Sequence, residues 1–431
     1  MEGHSLKNNA EGGRILDNFN INPKTVLFIM LGFAFLIRLL ISMGYYNQND
    51  TFWYRQWAIG TQDGLFDLYV NPNVNVDYPP VYLFFLAIIG QVYRLVGGEG
   101  AHRYVQMLLM KFWPVFFDLL LGYMLYRFGR KWGEKAGLFA AGLWLFNPAA
   151  LFNSSFWGQT DGLMCLLLLI SFWLLYKRPV LASVMFAVAG LTKFQCLYFT
   201  PVFLFMLYYR HGLINFLKGI GAAAVTVAVV FLPFMIACGK PWLFFEVYFR
   251  GSSSYPYCTL NAFNFYGVFG LNWVKESSEI FPGFTFGILN IIMLVLIIVG
   301  IILMMVFAKR KSPFVFCLLL MQCLFMFTTR MHERYQFVTL IFALGAFIVY
   351  NRKEFLNLFL MLSVVIMVNQ AVPMFDWNGS GSFLGGDNYT YIMVAVSIVN
   401  LALFAYSAVV CVKFLMESEE TCPLPQPNEN C

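Results

Sequence analysis

A chain of 431 residues with 60% hydrophobic and only 12% charged side chains carries more apolar material than a soluble domain of that length displays. Its net charge of +6 does not mark a nucleic-acid binder, because the 28 basic residues stand in short clusters between apolar runs and not along one basic tract. The expected partner is a lipid bilayer, with no nucleic acid.

Nine cysteines form no CxxC pair and have no histidine at zinc-ligand spacing, so no metal site is expected. Cys238 and Cys258 share one outer loop, where a disulfide competes with the commoner free thiols.

Taken in order, residues 1–24 are a polar tail before an apolar run of roughly twenty residues, too long for a signal-peptide core and read as a retained first span. A bilayer core of about 30 Å takes about twenty helical residues to cross. Twelve spans follow from that length: 25–44, 107–127, 136–152, 162–176, 179–192, 194–209, 215–237, 284–307, 313–329, 336–350, 355–372 and 390–412. The reading is an all-α polytopic membrane protein of about 12 transmembrane helices. Its transmembrane domain covers 25–412, with a first outer loop at 45–106 holding interfacial helices, a large outer loop at 238–283, and a polar tail at 413–431. No internal repeat breaks it into smaller units.

Residues 81–95 are the ambiguous segment: a thirteenth span, or a helix lying along the interface. The interfacial reading puts the clusters at 127–135, 177–178, 210–218, 309–311 and 352–353 on the side of the N-terminus. It leaves 17 of 28 basic residues inside, ten outside and Arg38 within a span. The excess of Lys and Arg in cytoplasmic loops favours this reading. The same parity sends the polar segments 45–80, 153–162, the Lys193 turn, 238–283 and 328–335 to the opposite face, where they can share one chamber.

Asp50 stands just past the first span in a loop rich in aromatics, a setting for a general base or for a solvated cap. Arg38, inside that span, either snorkels or faces a wet cavity, and Asp118 is read as an intramembrane partner of Arg38 or Lys111. The Arg330-Met331-His332-Glu333-Arg334-Tyr335 cluster suits a phosphate, since arginine offers paired donors and histidine a tunable one. Lys193 separates two short apolar runs, where unwound backbone can line a cavity. Arg250 and Asn261 lie in the large outer loop among aromatics that fit a sugar ring or a lipid tail.

At these residues the chain resembles the GT-C glycosyltransferases, in particular the dolichyl-phosphate-glucose glucosyltransferases and the bacterial proteins related to GPI mannosyltransferases. The spacing of Asp50, Arg55 and Trp57 is similar to the first-loop signature of the glucosyltransferase branch, and Asp77-Tyr78-Pro79-Pro80 to its DYPP. Asn147-Pro148 with Trp157-Gly158-Gln159 and Asp161 resembles the NPA and WGQxD segment of the bacterial branch. Lys193-Phe194-Gln195 with Pro201 is similar to a KxQ turn, and His332-Glu333-Arg334 to the HEK or HER segment of both. The chain is shorter than the glucosyltransferases and differs from them in the loop between the third and fourth spans.

The resemblance implies a GT-C fold and an inverting transfer of mannose or glucose from a polyprenyl-phosphate sugar to a glycan, lipid-linked or protein acceptor. It makes Asp50 the base and puts His332, Arg334, Lys193 and Arg250 at the donor phosphate. Arg55, Trp57, Asp77, Tyr78, Gln159, Asp161, Gln195, Asn261 and Glu333 would then bind substrate. No cofactor or metal is implied beyond the lipid-phosphate-linked donor. The competing readings are a secondary transporter, which would place its site near the midplane and often carries repeats, and a lipid-linked glycan polymerase. Sequons at Asn49, Asn153, Asn378 and Asn388, one of which would crowd Asp50 with a glycan, favour a bacterial plasma membrane over the endoplasmic reticulum.

Overall fold

The computed structural model describes residues 22–44, 50–253, 255–376 and 386–418. Most of the two polar tails, and the sequons at Asn49 and Asn378, lie outside them. Nearly everything described is helical, and the strands among the described residues are two or three residues long.

Among the described residues, six helices are long and apolar enough to cross a membrane: Pro23–Gly44, Arg103–Trp132, Phe194–Ala237, Phe286–Phe307, Lys353–Asp376 and Asn388–Met416. A seventh is added if Glu134–Leu145 and Pro148–Trp157, bent by 49°, count as one span. The chain is a multi-pass membrane protein in contact with the bilayer. All twelve apolar runs read from the sequence fall on helix, but five apolar helices of 10–17 residues are shorter than a crossing. One of these is Pro80–Leu95, whose 16 residues reach about 24 Å.

Burial separates the two sets. The short helices Asp161–Leu174, Pro313–Phe327 and Thr339–Tyr350 are enclosed on almost every side. Phe286–Phe307 buries only Ile297, Ile301 and Met305 and turns most of its other side chains outward. The outer apolar faces, with Phe28 78% and Ile236 71% exposed, are surfaces that only lipid or another chain would cover. A helix walled in by protein need not match the bilayer, because its ends find partners within the fold. Within the long run at Thr200–Ala237, Gly212 takes φ 69 and breaks the helix, dividing it where the sequence separates 194–209 from 215–237.

The basic turns gather at one end. Lys131 Nζ donates to the Val349 carbonyl at 3.0 Å and Trp132 Nε1 to that of Ile348 at 2.6 Å. The Arg210 guanidinium lies 4.2 Å from the Tyr176 ring centre, and Arg310 and Arg352 both reach Glu417, at 3.4 and 3.3 Å. Helices 161–174, 179–190, 313–327 and 339–350 each run between this end and the turns at 157–161, 190–195 and 328–335. The polar turns therefore collect at the other end.

Between them lies a buried ion pair. Arg38 Nη2 sits 2.6 Å from Asp118 Oδ2, with both side chains sealed from solvent. Asp118 also accepts from Trp144 Nε1 at 2.7 Å and Ser154 Oγ at 2.9 Å, and Arg38 Nη1 donates to the Leu145 carbonyl at 2.8 Å. Of the partners expected for Asp118 it is Arg38 that meets it; Lys111 Nζ turns to the carbonyls of Ser42 and Phe156. Cys238 and Cys258 are free thiols.

The first loop packs its short helix, Asp50–Gly60, on Pro80–Leu95 through Gly90, where a Cβ would stand 2.1 Å from the Ala58 carbonyl oxygen. Backbone cannot yield there as a side-chain tip can. Gly90→Ala is expected to lower stability by about 1–3 kcal/mol, the range for overpacking, measurable as a lower unfolding temperature in detergent. An unchanged transition would show that the two helices separate freely.

Candidate functional site

The local sequence explains why polar side chains converge. Asn147 caps the next turn, its Oδ1 accepting from the backbone N–H of Ala149 at 2.9 Å and Ala150 at 3.2 Å, with Pro148 at the first helical position. The helix then widens to a π-turn over Phe152–Trp157 and ends at Gly158, whose φ of 89 suits glycine. That turn delivers Trp157 to Asp50. Downstream, the helix Pro179–Gly190 stops and Lys193 is extended before a 3₁₀ turn at Phe194–Phe199. The Leu191 carbonyl accepts from the Val81 N–H at 3.0 Å, tying this turn to the first loop.

Two loop segments zip together. Thr259–Leu260 pairs in parallel with Met331–His332, and Asn261 bridges back to His332. The long loop is thereby fixed against the histidine cluster.

The result is a chamber of 430 Å³. The helix Asp50–Gly60 contributes Asp50, Trp53, Tyr54 and Trp57, and the proline corner contributes Asn75, Asp77 and Tyr78. Trp157, Lys193, Phe194 and Gln195 form another wall. Tyr255, Asn261 and Trp273 close it from the large loop, and His332, Glu333, Arg334 and Tyr335 line it from the segment paired with that loop.

Asp50 accepts from Trp157 Nε1 at 2.7 Å, and its other oxygen is 4.0 Å from Arg334 Nη2. Arg334 also donates to Glu333 Oε1 at 2.9 Å and lies 5.4 Å from the centre of the Trp157 ring. Burial disfavours its cation, but Asp50 and Glu333 more than offset that and hold it charged. Burial pushes the Glu333 carboxyl up to about 7 against the pull of Arg334. Burial, then the nearby charge of Asp50, pushes Asp77 up to about 6. Burial, followed by the charges of Arg334 and Lys193, holds His332 well below the usual imidazole range. The histidine is therefore neutral, and its 4.0 Å approach to Glu333 is not an ion pair. It offers one neutral N–H.

Of the residues singled out in the sequence, the chamber brings together Asp50, Trp57, Asp77, Tyr78, Lys193, Gln195, Asn261, His332, Glu333 and Arg334. Four stand behind it or elsewhere. Asp161 is buried in an ion pair with Lys193 and accepts from Asn153 Nδ2 at 2.9 Å. Gln159 is buried, its Oε1 accepting from Tyr54 Oη at 3.2 Å. Arg55 turns to Gln106 Oε1 at 3.3 Å, and Arg250 sits on the helix Leu243–Ser253 without lining the chamber. Asn153 is fully buried against Asp161, so its sequon is not an accessible glycan acceptor in this fold.

Sequence reasoning passed over Trp53, Asn75, Tyr255 and Trp273, and quoted Trp157 and Tyr335 only within longer motifs. The aromatic density of the outer loops was the available signal. Arg330, read with the histidine cluster, instead pairs with Glu276, which also accepts from Thr329 Oγ1 at 3.1 Å.

A second cavity, an apolar groove of 470 Å³, shares Phe194, Tyr255, His332 and Tyr335 with the chamber. Its walls include Leu197, Phe245, Phe249, Leu294 and Leu324. An anionic head with a long apolar tail would fit such a pair of cavities, and an aromatic-lined carboxylate facing them could accept a proton. Neither protein-family models nor curated proteins give a match to this chain.

Proposed function

We propose that the protein is an inverting, membrane-embedded glycosyltransferase of GT-C type, with about twelve membrane-crossing segments. It moves a hexose, mannose or glucose, from a polyprenyl-phosphate carrier to an acceptor hydroxyl on the extracytoplasmic face of a cell membrane. The observation that carries this reading is the juxtaposition of Asp50, oriented by the Trp157 indole, with the His332-Glu333-Arg334 turn across one chamber, while an apolar groove runs off from His332.

The donor lies with its prenyl tail in the groove and its phosphate beside His332 and the Lys193 and Arg334 cations. The acceptor O–H gives its proton to Asp50 as its oxygen attacks the anomeric carbon. The bond from that carbon to the phosphate oxygen breaks, and polyprenyl phosphate leaves as an anion. That departure needs no strong acid, only preorganised positive charge and hydrogen-bond donors. Lys193, neutralised in part by Asp161, orients more than it attracts. Beneath the chamber lies an aromatic floor of Tyr54, Trp57 and Tyr78, whose rings pack at 5.2–5.8 Å.

Arg38 and Asp118 neutralise one another out of contact with solvent, which favours a structural ion pair over a transport path. The basic end, opposite the chamber, is the cytoplasmic one by the distribution of Lys and Arg.

Single displacement predicts a product glycosidic bond of opposite anomeric configuration to the donor, read by proton couplings of the isolated product. Retention would demand a covalent intermediate and overturn the role given to Asp50.

A pH dependence also follows. Below about pH 6 both Asp77 and Glu333 carry protons; above about pH 7 both are ionised and repel a phosphate in the same chamber. Donor binding should weaken between pH 5.5 and 8, and Glu333→Gln should flatten that slope when binding is titrated at both values. A slope that is unchanged in Glu333→Gln would remove Glu333 from the phosphate's surroundings.

A further inference from the structure

Trp273 has a backbone that tryptophan rarely adopts. Its φ is 60, in the left-handed region, where a bulky side chain is a genuine outlier. The conformation is held from both sides: the Trp273 N–H donates to the Thr259 carbonyl at 3.0 Å, and the Cys258 N–H donates to the Val274 carbonyl at 2.7 Å. Core packing does not account for it, since 37% of the side chain is exposed. The ring meets Tyr257 edge-on at 5.2 Å and lines the chamber. A strained residue kept in place by its surroundings and left open to a cavity points to a task in that cavity.

Its neighbour Asn261 is fixed with equal care. Asn261 also has a positive φ, 56, and its backbone N–H donates to Asn272 Oδ1 at 2.8 Å. A backbone N–H can only donate, so the oxygen of Asn272 faces it and the Asn272 nitrogen faces Asn261 Oδ1, at 2.8 Å. Tyr389 Oη donates to the same oxygen at 2.8 Å. Asn369 Nδ2 holds the Asn261 carbonyl at 2.7 Å. The acceptor atom of Asn261 is thus consumed by the protein, while its Nδ2 donates to no described group. It stands as a locked donor on the chamber wall.

We infer that Trp273 and Asn261 together form the platform that receives the hexose ring of the donor, an inference that rests on the proposed function. The indole face covers the C–H face of a pyranose, and the Asn261 amide nitrogen donates to a ring hydroxyl. The donor sugar, rather than the acceptor, is favoured because Asn261 bridges to His332, beside which the phosphate is placed. Trp273 thereby becomes a specificity-determining residue, carried to the chamber by the same loop as Asn261.

The test is titration of the full-length protein in nanodiscs with farnesyl-phosphate mannose, farnesyl-phosphate glucose and farnesyl phosphate alone, comparing wild type with Trp273→Gly and Trp273→Phe. Glycine adopts φ 60 without strain, so the first variant should keep its fold. The sugar-bearing probe that wild type prefers should bind about tenfold more weakly to Trp273→Gly, the scale of one aromatic contact. Trp273→Phe should fall between, and farnesyl phosphate should bind all three alike. Equal loss for farnesyl phosphate, or no loss for any probe, would overturn the platform. So would a wild type that binds farnesyl phosphate as tightly as both sugar donors. A wild type that binds none of the three would overturn the proposed function as well.

Discussion

Asp50→Asn is expected to lower the proposed hexose transfer by about 10²–10⁴-fold, the contribution of a positioned proton acceptor, while leaving donor affinity unchanged. The substitution is nearly isosteric. Trp157 Nε1, which reaches Asp50 Oδ2 at 2.7 Å, can still donate to the amide oxygen, so the indole and the floor of the chamber stay in place. What disappears is the basic oxygen and the charge that faces Arg334 at 4.0 Å. The loss should therefore appear in kcat with KM retained, the mark of an interaction needed only as the acceptor is deprotonated. Initial rates at saturating donor and acceptor, together with equilibrium donor binding, separate the two. A variant that turns over normally would exclude Asp50 as the base. One that loses donor binding along with turnover would make it a binding residue.

Asp118→Ala is expected to have the largest effect on stability, about 3–5 kcal/mol, because it strands the Arg38 guanidinium in the protein interior. The Trp144 indole and the Ser154 hydroxyl lose their acceptor in the same step. A double variant, Arg38→Met with Asp118→Leu, should recover most of that loss, since it removes both charges and refills the volume. Denaturant unfolding of the three proteins in one detergent checks both statements. Additive destabilisation in the double variant would mean that the two residues do not act as a pair. The effect should also reach the chamber, because Ser154 belongs to the π-turn that carries Trp157 to Asp50.

The chamber was partly legible in the chain. Asp50, Asp77, Lys193, Asn261 and His332 are spread over some 280 positions, yet each lies in a short polar segment or turn between apolar runs. Counting basic turns sends all of them to one side. The structure puts them round one cavity, with Asp50 and Trp157 in contact across 107 residues. Side-chain direction was the part that polarity could not convey. Arg55 lies between the chamber residues Tyr54 and Trp57 on one helix but faces Gln106, and Arg330 belongs by sequence to the histidine cluster yet closes on Glu276. Asp161 and Lys193 read as two separate site residues and prove to be one buried pair.

Span length misleads for a similar reason. Hydropathy registers an apolar neighbour without saying whether it is lipid or protein. The helix Asp161–Leu174 is as apolar as an outer span, but it is enclosed by other helices and needs only 14 residues. Trp273 stood out in the sequence only as one more aromatic of its loop, since its importance lies in a backbone angle set by Thr259 and Cys258 from the far side of the loop.

The most direct test incubates purified protein in nanodiscs with radiolabelled polyprenyl-phosphate mannose and, separately, polyprenyl-phosphate glucose, and follows the release of polyprenyl phosphate by wild type and Asp50→Asn. The account predicts that wild type consumes one of the two donors and that Asp50→Asn binds the same donor without consuming it. If wild type neither binds nor consumes either donor, the chamber is not a site for lipid-phosphate-linked hexoses.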